Sequence, residues 1–257
     1  MLFLTYILMC MYARNESREV NGRTMRVDVR TVSLIAIFAA LGVVCDAVVT
    51  PGFSAGVWFG WIFVVSSIAG IVLGPYNGFV STLIAVMIGH SLFPRETVHE
   101  FVFTIGAPVG SMMSGFVFRG QLKRVFAYYT FMLGTYFATT VSRHLPIWGI
   151  WDCYVAYAIL IVLCILLIVR GSDEIGRMSP FAVSAFIGLE ADVLFRIFIL
   201  VPCQGYRLFY GWTPELLVTI WTVPAPLITP FKVLLSTFIV TLVGPQIKRI
   251  LGDLRTS

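Results

Sequence analysis

Long runs of apolar residues alternate along the chain with short stretches rich in glycine, proline and charge, such as "GPYNG" at 74–78 and "RGSDEIGRMSP" at 170–180. Stretches of that composition mark turns between helices. A helix needs about 20 mostly apolar residues to cross the hydrocarbon core of a bilayer. The pattern therefore predicts an all-α, polytopic transmembrane bundle of six to eight spans, since three of the eight apolar segments are short. The candidate spans lie at 31–50, 57–73, 76–93, 98–118, 125–142, 147–169, 180–202 and 226–247.

Composition supports the membrane assignment. The 257 residues are 58% hydrophobic and 12% charged, whereas a soluble domain is about half apolar and about a quarter charged. Too few polar residues remain to cover a surface that faces water. The net charge of +5 is then explained by basic loops, and nucleic acid is not predicted as a partner. The cysteines show no CxxC spacing, which predicts neither a metal site nor a cofactor.

Basic residues are distributed unevenly between the two sides of the predicted bundle. With the N-terminus in the cytoplasm, the outer side holds Arg95, Arg143 and Arg207, and Arg196 and Lys232 fall inside spans. The other thirteen lie on the cytoplasmic side: Arg14, Arg18, Arg23, Arg26, Arg30, Arg119, Lys123, Arg124, Arg170, Arg177, Lys248, Arg249 and Arg255. Cytoplasmic loops carry the excess of Lys and Arg in membrane proteins. The count predicts an even number of crossings, both termini in the cytoplasm, and a multi-pass protein of the cell membrane.

The first 24 residues differ from the rest of the chain. "MLFLTYILMCMY" at 1–12 is apolar but too short to span, and a polar stretch follows it. We expect 1–24 to be a dispensable or disordered leader, with Met25 as the true start, and 25–257 to form one transmembrane domain. A short segment lying at the membrane interface is the open alternative for 1–12.

Small residues line the first span. On a helical wheel Ser33, Ala36, Ala40 and Ala47 form one stripe, and Ala39 and Gly42 form a neighbouring stripe with Asp46. Small side chains allow the backbones of two helices to approach closely, which drives helix association where lipid offers no hydrophobic force. The first stripe is therefore a docking face, either for this protein's own helices or for a separate protein.

Ionisable residues inside spans are costly unless they are paired or face water, so they are candidates for function. Here they are Asp46, Glu190, Asp192, Arg196 and Lys232. Asp192 and Arg196 are four residues apart and can pair on one helix face, while Lys232 is a possible partner for Glu190. Charges of both signs in the outer half suit a pocket for a small polar solute. A structural ion-pair network is the alternative. The predicted solute-binding residues are Asp46, Trp58, His99, Asp192, Arg196 and Lys232.

Catalytic motifs are absent from the sequence. There is no GxSxG, no HExxH and no phosphate-binding loop ending in GK[ST], so the chain is not expected to be an enzyme or to hydrolyse ATP by itself.

Four stretches together resemble the substrate-binding S component of energy-coupling factor transporters. They are "RTVSLIAIFAALGVV" at 30–44 with its Ala36-x-x-x-Ala40 spacing, the Gly-Pro-x-x-Gly turn at 74–78, "TIGAPVGSMMSGFVF" at 104–118, and "TVPAPLITPFKVLLSTFIVTLVGPQIKRIL" at 222–251. The resemblance covers roughly residues 26–118 and 180–252. The family usually has six helices, and this chain has two further apolar segments within 125–169.

The resemblance implies a function. A member of this family captures a vitamin or a similar micronutrient from outside the cell. It would dock through Ala36 and Ala40 onto a transmembrane coupling subunit driven by two ATPase subunits. The alternative is a self-contained secondary transporter that uses Asp46, Glu190, Asp192 and Arg196 for ion or proton coupling.

Overall fold

A computed structural model describes residues 29–47, 61–92, 100–170 and 180–256. The helices in these ranges are α1 (Val29–Ala47), α2 (Ile62–Leu73), α3 (Pro75–Leu92), α4 (Glu100–Thr104), α5 (Gly106–Phe118), α6 (Leu122–Ala138), α7 (Trp151–Arg170), α8 (Pro180–Leu200), α9 (Gly205–Leu208), α10 (Pro214–Thr222) and α11 (Pro224–Thr256). Two 3₁₀ turns, Val141–His144 and Ile147–Ile150, join α6 to α7. The described part of the chain contains no strand, which confirms the all-α class.

Each predicted span contains a helix, and four helical stretches are long and apolar enough to cross a membrane. These four are Val29–Ala47, Phe101–Phe118, Ile147–Leu167 and Pro224–Ile250. The second predicted span is shorter, because its helix covers only the 12 residues Ile62–Leu73. The 21-residue α8 is long enough but carries Glu190, Asp192 and Arg196. These lengths and compositions are typical of a membrane protein.

The predicted span 98–118 is divided in the structure. α4 ends at Thr104 and α5 begins at Gly106. Pro108 explains the interruption, because a proline lacks the N–H donor and its ring collides with the carbonyl four residues earlier, here that of Thr104.

The chain divides into two units, residues 1–34 and 35–257. In the first unit the structure describes only 29–34, the opening turns of α1. The second unit contains the rest of α1 and all the other described helices. The predicted leader at 1–24 lies outside the described residues.

Helix α5 packs closely against neighbouring helices on two sides, and glycines form both contacts. A Cβ on Gly110 would lie 2.7 Å from the Gly188 carbonyl oxygen of α8. A Cβ on Gly115 would lie 2.6 Å from the Gly70 carbonyl oxygen of α2. Such approaches are the small-residue packing typical of membrane helices. They place α5 between α8 and the α2–α3 pair, and Gly74, with φ +94°, makes the turn that joins those two helices.

Two tyrosines of α6 anchor that helix to α8. Tyr129 is fully buried, and its hydroxyl donates to the Ile187 carbonyl at 2.6 Å. The neighbouring Tyr128 hydroxyl donates to the Ala191 carbonyl at 2.8 Å. A tyrosine buried in an apolar helix pair needs such a partner for its O–H group.

Removing the Tyr129 hydroxyl by Tyr129→Phe is expected to lower the free energy of unfolding by about 0.5–1.5 kcal/mol, the usual net contribution of a hydrogen bond. Tyr157→Phe is the matched control, because the Tyr157 hydroxyl bonds Thr130 at an exposed position, 2.9 Å away. Equilibrium unfolding in mixed micelles compares the two variants. Equal losses would contradict the anchoring role of Tyr129.

The outer faces of the long helices are apolar. Five large side chains of α11 are each more than half exposed: Leu227, Phe231, Leu234, Phe238 and Leu242. Steps of three or four residues align them along one face of the helix. An exposed apolar stripe of this length marks a surface that meets lipid or another protein instead of water.

Candidate solute pocket

The described helices and the turns between them line an open pocket, and the space within it is about 810 Å³ when the solvent at its mouth is included. Apolar and aromatic side chains form most of its wall, and Asp152, Arg196, Thr229 and Lys232 are the polar or charged residues that line it. The aromatic residues are Phe63, Phe103, Tyr210, Trp212 and Trp221, and the remaining lining residues are Gly149, Ile150, Val193, Ile197, Leu200, Ala225 and Val233. Concave, mostly apolar sites with a few polar groups are typical of small-molecule binding.

The pocket lies at one end of the bundle. Most of its residues come from the beginnings of α2, α7 and α11 and from the last turns of α8. The end of α5 is about 20 Å from this region, at 1.5 Å of rise per residue from Phe103 to Phe118. There Lys248 Nζ lies 4.3 Å from the Phe118 ring centre, and Arg124 donates to the Tyr76 hydroxyl at 3.0 Å. The pocket and these basic side chains thus occupy opposite helix ends.

Arg196 and Asp192 form the ion pair predicted from their spacing. Arg196 Nε donates to Asp192 Oδ1 at 2.6 Å, and Nη2 donates to Oδ2 at 3.2 Å. Asp192 is 1% exposed and Arg196 is 16% exposed. The carboxylate is therefore buried behind the guanidinium, and the guanidinium is the member of the pair that lines the pocket.

Phe63 of α2 contacts both cations of the pocket. Lys232 Nζ lies 4.4 Å from the centre of its ring, and Arg196 Cζ lies 5.4 Å from it. The face of an aromatic ring carries negative potential and attracts cations within about 6 Å. The ring therefore helps to position two positive charges from α8 and α11 beside one wall of the pocket.

Helix α5 leaves room for the Asp192 side chain. A Cβ on Gly106 would collide with Asp192 Oδ1, and a Cβ on Gly110 would lie 2.9 Å from the Asp192 Cβ. The run "GAPVG" at 106–110 thus allows a charged residue to fit where two helices cross. Small residues serve close packing here, and the same residues also position the site.

Helix α10 brings Trp221, in its last turn, to the pocket, and a cap fixes where this helix begins. Thr213 caps the helix, because its hydroxyl oxygen accepts from the Leu216 N–H at 3.4 Å. Pro214 follows at the first helical position, where its missing N–H costs nothing. Hydrogen bonds from the Glu215 backbone N–H and the Thr213 hydroxyl lower the pKa of the exposed Glu215 carboxyl.

Asp46 does not line this pocket and lies in a buried cluster with His90. The ring nitrogen Nδ1 of His90 is 2.9 Å from Asp46 Oδ2 and 3.1 Å from the Val86 carbonyl oxygen. Its Nε2 is 2.9 Å from Thr104 Oγ1. The three side chains connect α1, α3 and α4, so Asp46 is placed as a link between helices. The sequence did not indicate this partner, because His90 is 44 positions away.

The other predicted residues fall into three groups. Arg196 and Lys232 line the pocket, and Asp192 supports it from behind. Ala36 and Ala40 are exposed on α1. Trp58 and His99 lie outside the described residues.

Asp152 is a pocket residue that the sequence analysis overlooked. It is 3% exposed, in the first turn of α7. The rule that selected Asp46 and Asp192, an acid inside an apolar span, applies equally to "GIWDCY" at 149–154 and would have found it. Asp152, Cys153 and Glu190 are also a group in the described chain with donor atoms close enough to hold a metal ion.

Comparison with protein-family models, with curated proteins and with solved structures finds no match to this chain. The arguments for function therefore rest on the residues and their geometry.

Proposed function

We propose that this protein is the substrate-binding S component of an energy-coupling factor transporter. In this role it binds a vitamin or a similar small micronutrient and delivers it with a transmembrane coupling subunit and two ATPase subunits. The observation that carries the proposal is the mostly apolar pocket with Arg196 and Lys232 on its wall.

The lining indicates which solutes suit the pocket. Phe63, Phe103 and Trp221 offer apolar and planar surface, and the two cations offer charge-assisted hydrogen bonds. A molecule with a flat apolar part and an anionic group, such as a carboxylate, complements both features. The unequal distribution of Lys and Arg assigns the pocket end of the bundle to the outside, which is the side from which a nutrient arrives.

The exposed alanines of α1 support the docking part of the proposal. Ala36 and Ala40 face away from the protein, while Ala39 and Gly42 on the neighbouring stripe are buried. A Cβ on Gly42 would lie 2.6 Å from the Ala85 Cβ. Ala39 and Gly42 are therefore used for packing inside the protein, as is Ala47 at the end of the first stripe, whereas the exposed Ala36 and Ala40 are available to another membrane helix.

Uptake measurements separate the two transport hypotheses. Native mass spectrometry of the purified protein first identifies a co-purified small molecule, and cells expressing the chain are then assayed for uptake of that molecule. We expect binding by the chain alone and uptake only when the coupling and ATPase subunits are present. Uptake by the chain alone that stops with an uncoupler would instead favour the ion-coupled secondary transporter, for which the buried acids Asp46 and Asp192 are the supporting observation.

Ala40→Leu is expected to weaken association with the coupling subunit at least about tenfold, because one misplaced branched side chain costs about 1–3 kcal/mol in a close-packed interface. Leu41→Phe is the matched control, since Leu41 is 47% exposed on the same helix and lies outside the alanine stripe. Co-purification of the tagged protein from its native membrane measures the effect. Equal recovery of the partner with Ala40→Leu and wild type would rule out this docking face.

A further inference from the structure

Three side chains of the types that can bind a metal ion lie close together beside the pocket. Asp152 and Cys153 lie in the first turn of α7, and Glu190 lies in the middle of α8. One donor atom from each lies within 4.8 Å of the others. Their exposed fractions are 3% for Asp152 and 0% for Cys153 and Glu190, so water does not solvate the two acids from the surface.

In each of the two carboxyl groups, only one of the two oxygens accepts a hydrogen bond. Asp152 Oδ1 accepts from the Cys153 backbone N–H at 3.0 Å, and Glu190 Oε2 accepts from the Cys153 thiol at 3.4 Å. The second oxygens, Asp152 Oδ2 and Glu190 Oε1, are buried without a hydrogen-bond partner. Buried polar atoms are nearly always paired, and leaving one unpaired costs about 1–3 kcal/mol. Two such atoms beside one thiol are the arrangement of donors that a metal ion requires.

The two basic side chains of the pocket contact groups other than Asp152 and Glu190. The Arg196 guanidinium is held by Asp192 in a two-point contact, and the Lys232 ammonium lies over the Phe63 ring. A buried acid that lacks a basic partner is stabilised either by a proton or by a metal ion. The thiol between the two acids favours a metal ion. A metal ion binds several donor atoms at once, whereas a proton on one carboxyl group needs no thiol beside it.

We propose that Asp152, Cys153 and Glu190 bind a divalent cation of the Zn²⁺ type. A thiolate with two carboxylates suits a borderline-soft ion, whereas Mg²⁺ and Ca²⁺ prefer oxygen ligands alone. The Cys153 thiol releases its proton when the ion binds. Tetrahedral Zn²⁺ ligands lie about 3.3–3.8 Å apart, so donors already within 4.8 Å need only small side-chain rotations.

The pocket connects this site with the exterior. Asp152 lines the pocket, while Cys153 and Glu190 lie behind it. Three protein ligands leave a tetrahedral ion one further position, as in open zinc sites. That position is available to water or to an anionic group of a bound solute. The site depends only on α7 and α8, so it does not depend on the transport function proposed above.

Zinc titration of the full-length protein tests the proposal. The protein is purified in detergent, stripped with a chelator, and titrated with Zn²⁺ against a chromophoric competitor. We expect one Zn²⁺ per chain, and an affinity at least about 10–100-fold lower in Cys153→Ser and Glu190→Gln, since even an outer-shell partner contributes that much. Cys164→Ser is the matched control, because Cys164 lies on the same helix outside the three-residue group.

Cobalt provides a second readout that does not depend on a variant folding. Co²⁺ bound to a thiolate gives a near-ultraviolet charge-transfer band, which we expect in the wild type and in Cys164→Ser but not in Cys153→Ser. Gel filtration verifies that each variant is folded. A wild-type protein that binds no stoichiometric Zn²⁺, or that binds Co²⁺ without the thiolate band, would overturn the proposal.

Discussion

Replacing Gly188 with alanine is expected to destabilise the protein by about 1–3 kcal/mol, the usual effect of overpacking a close-packed interior. A Cβ at this position would collide with Ser114 Oγ, and would lie 2.7 Å from the Ser114 backbone nitrogen and 2.8 Å from the Gly110 carbonyl oxygen. The serine side chain can rotate, but the two backbone atoms move only if α5 moves away from α8. The new methyl group therefore separates the two helices that carry Asp192 and Gly106.

The intrinsic helix propensity of alanine by itself would stabilise the Gly188→Ala variant. A measured loss of stability therefore reports the steric collision between α5 and α8. Alanine is about 1 kcal/mol more favourable than glycine in a helix interior. Gly134→Ala on α6 is the matched control, because a Cβ at Gly134 meets nothing within 4 Å. We expect Gly134→Ala to leave the thermal midpoint in detergent unchanged or higher, and Gly188→Ala to lower it. A gain in both variants would contradict the close crossing of α5 and α8.

Removing Arg196 is expected to have the larger effect of the two changes that break the ion pair. Arg196→Gln leaves the Asp192 carboxylate, 1% exposed, without its positive partner. Breaking a buried pair in this way costs about 3–5 kcal/mol. Asp192→Asn leaves a guanidinium that is 16% exposed and lines the pocket. That charge lies on the wall of an open pocket, so this variant is expected to lose less stability.

A double variant separates the ion pair from the packing around it. Asp192→Asn combined with Arg196→Gln removes both charges of this pair, and its free energy of unfolding is expected to recover most of the loss seen with Arg196→Gln alone. Denaturant titration of the four proteins in mixed micelles completes the cycle. Additive losses, or a loss in Asp192→Asn as large as that in Arg196→Gln, would show that the Asp192 carboxylate is not a buried charge.

Gly188 shows what a sequence pattern can predict about helix packing and what it cannot. The run "GAPVGSMMSG" at 106–115 predicts a helix that packs closely, and Gly110 and Gly115 do so in the structure. The pattern does not identify the partner, since small residues at helical spacing also occur in α1 and α8. Only the tertiary structure brings one side of α5 to Gly188 and the other side to Gly70.

For charged residues too, the sequence predicts contacts within one helix but not contacts between helices. The four-residue spacing of Asp192 and Arg196 predicts their pair, because local helix geometry alone brings the side chains together. The partners of Asp46 and Glu190 are His90 and Cys153, which are 44 and 37 positions away. Contacts across such separations depend on how helices are arranged, and spacing along one helix contains no information about that arrangement.

The sequence by itself determined that this is a helical protein with membrane-type segments, because apolar length and turn composition act locally, residue by residue. It also identified Arg196 and Lys232 as candidates, because a charge inside an apolar span is conspicuous in any fold. Tertiary structure alone decided that these two cations share a pocket wall with Phe63, that Asp46 lies elsewhere, and that Asp152, Cys153 and Glu190 form one buried group. The reason is physical: each of these sites is built from helices distant in sequence, and close packing between helices sets which side chains meet.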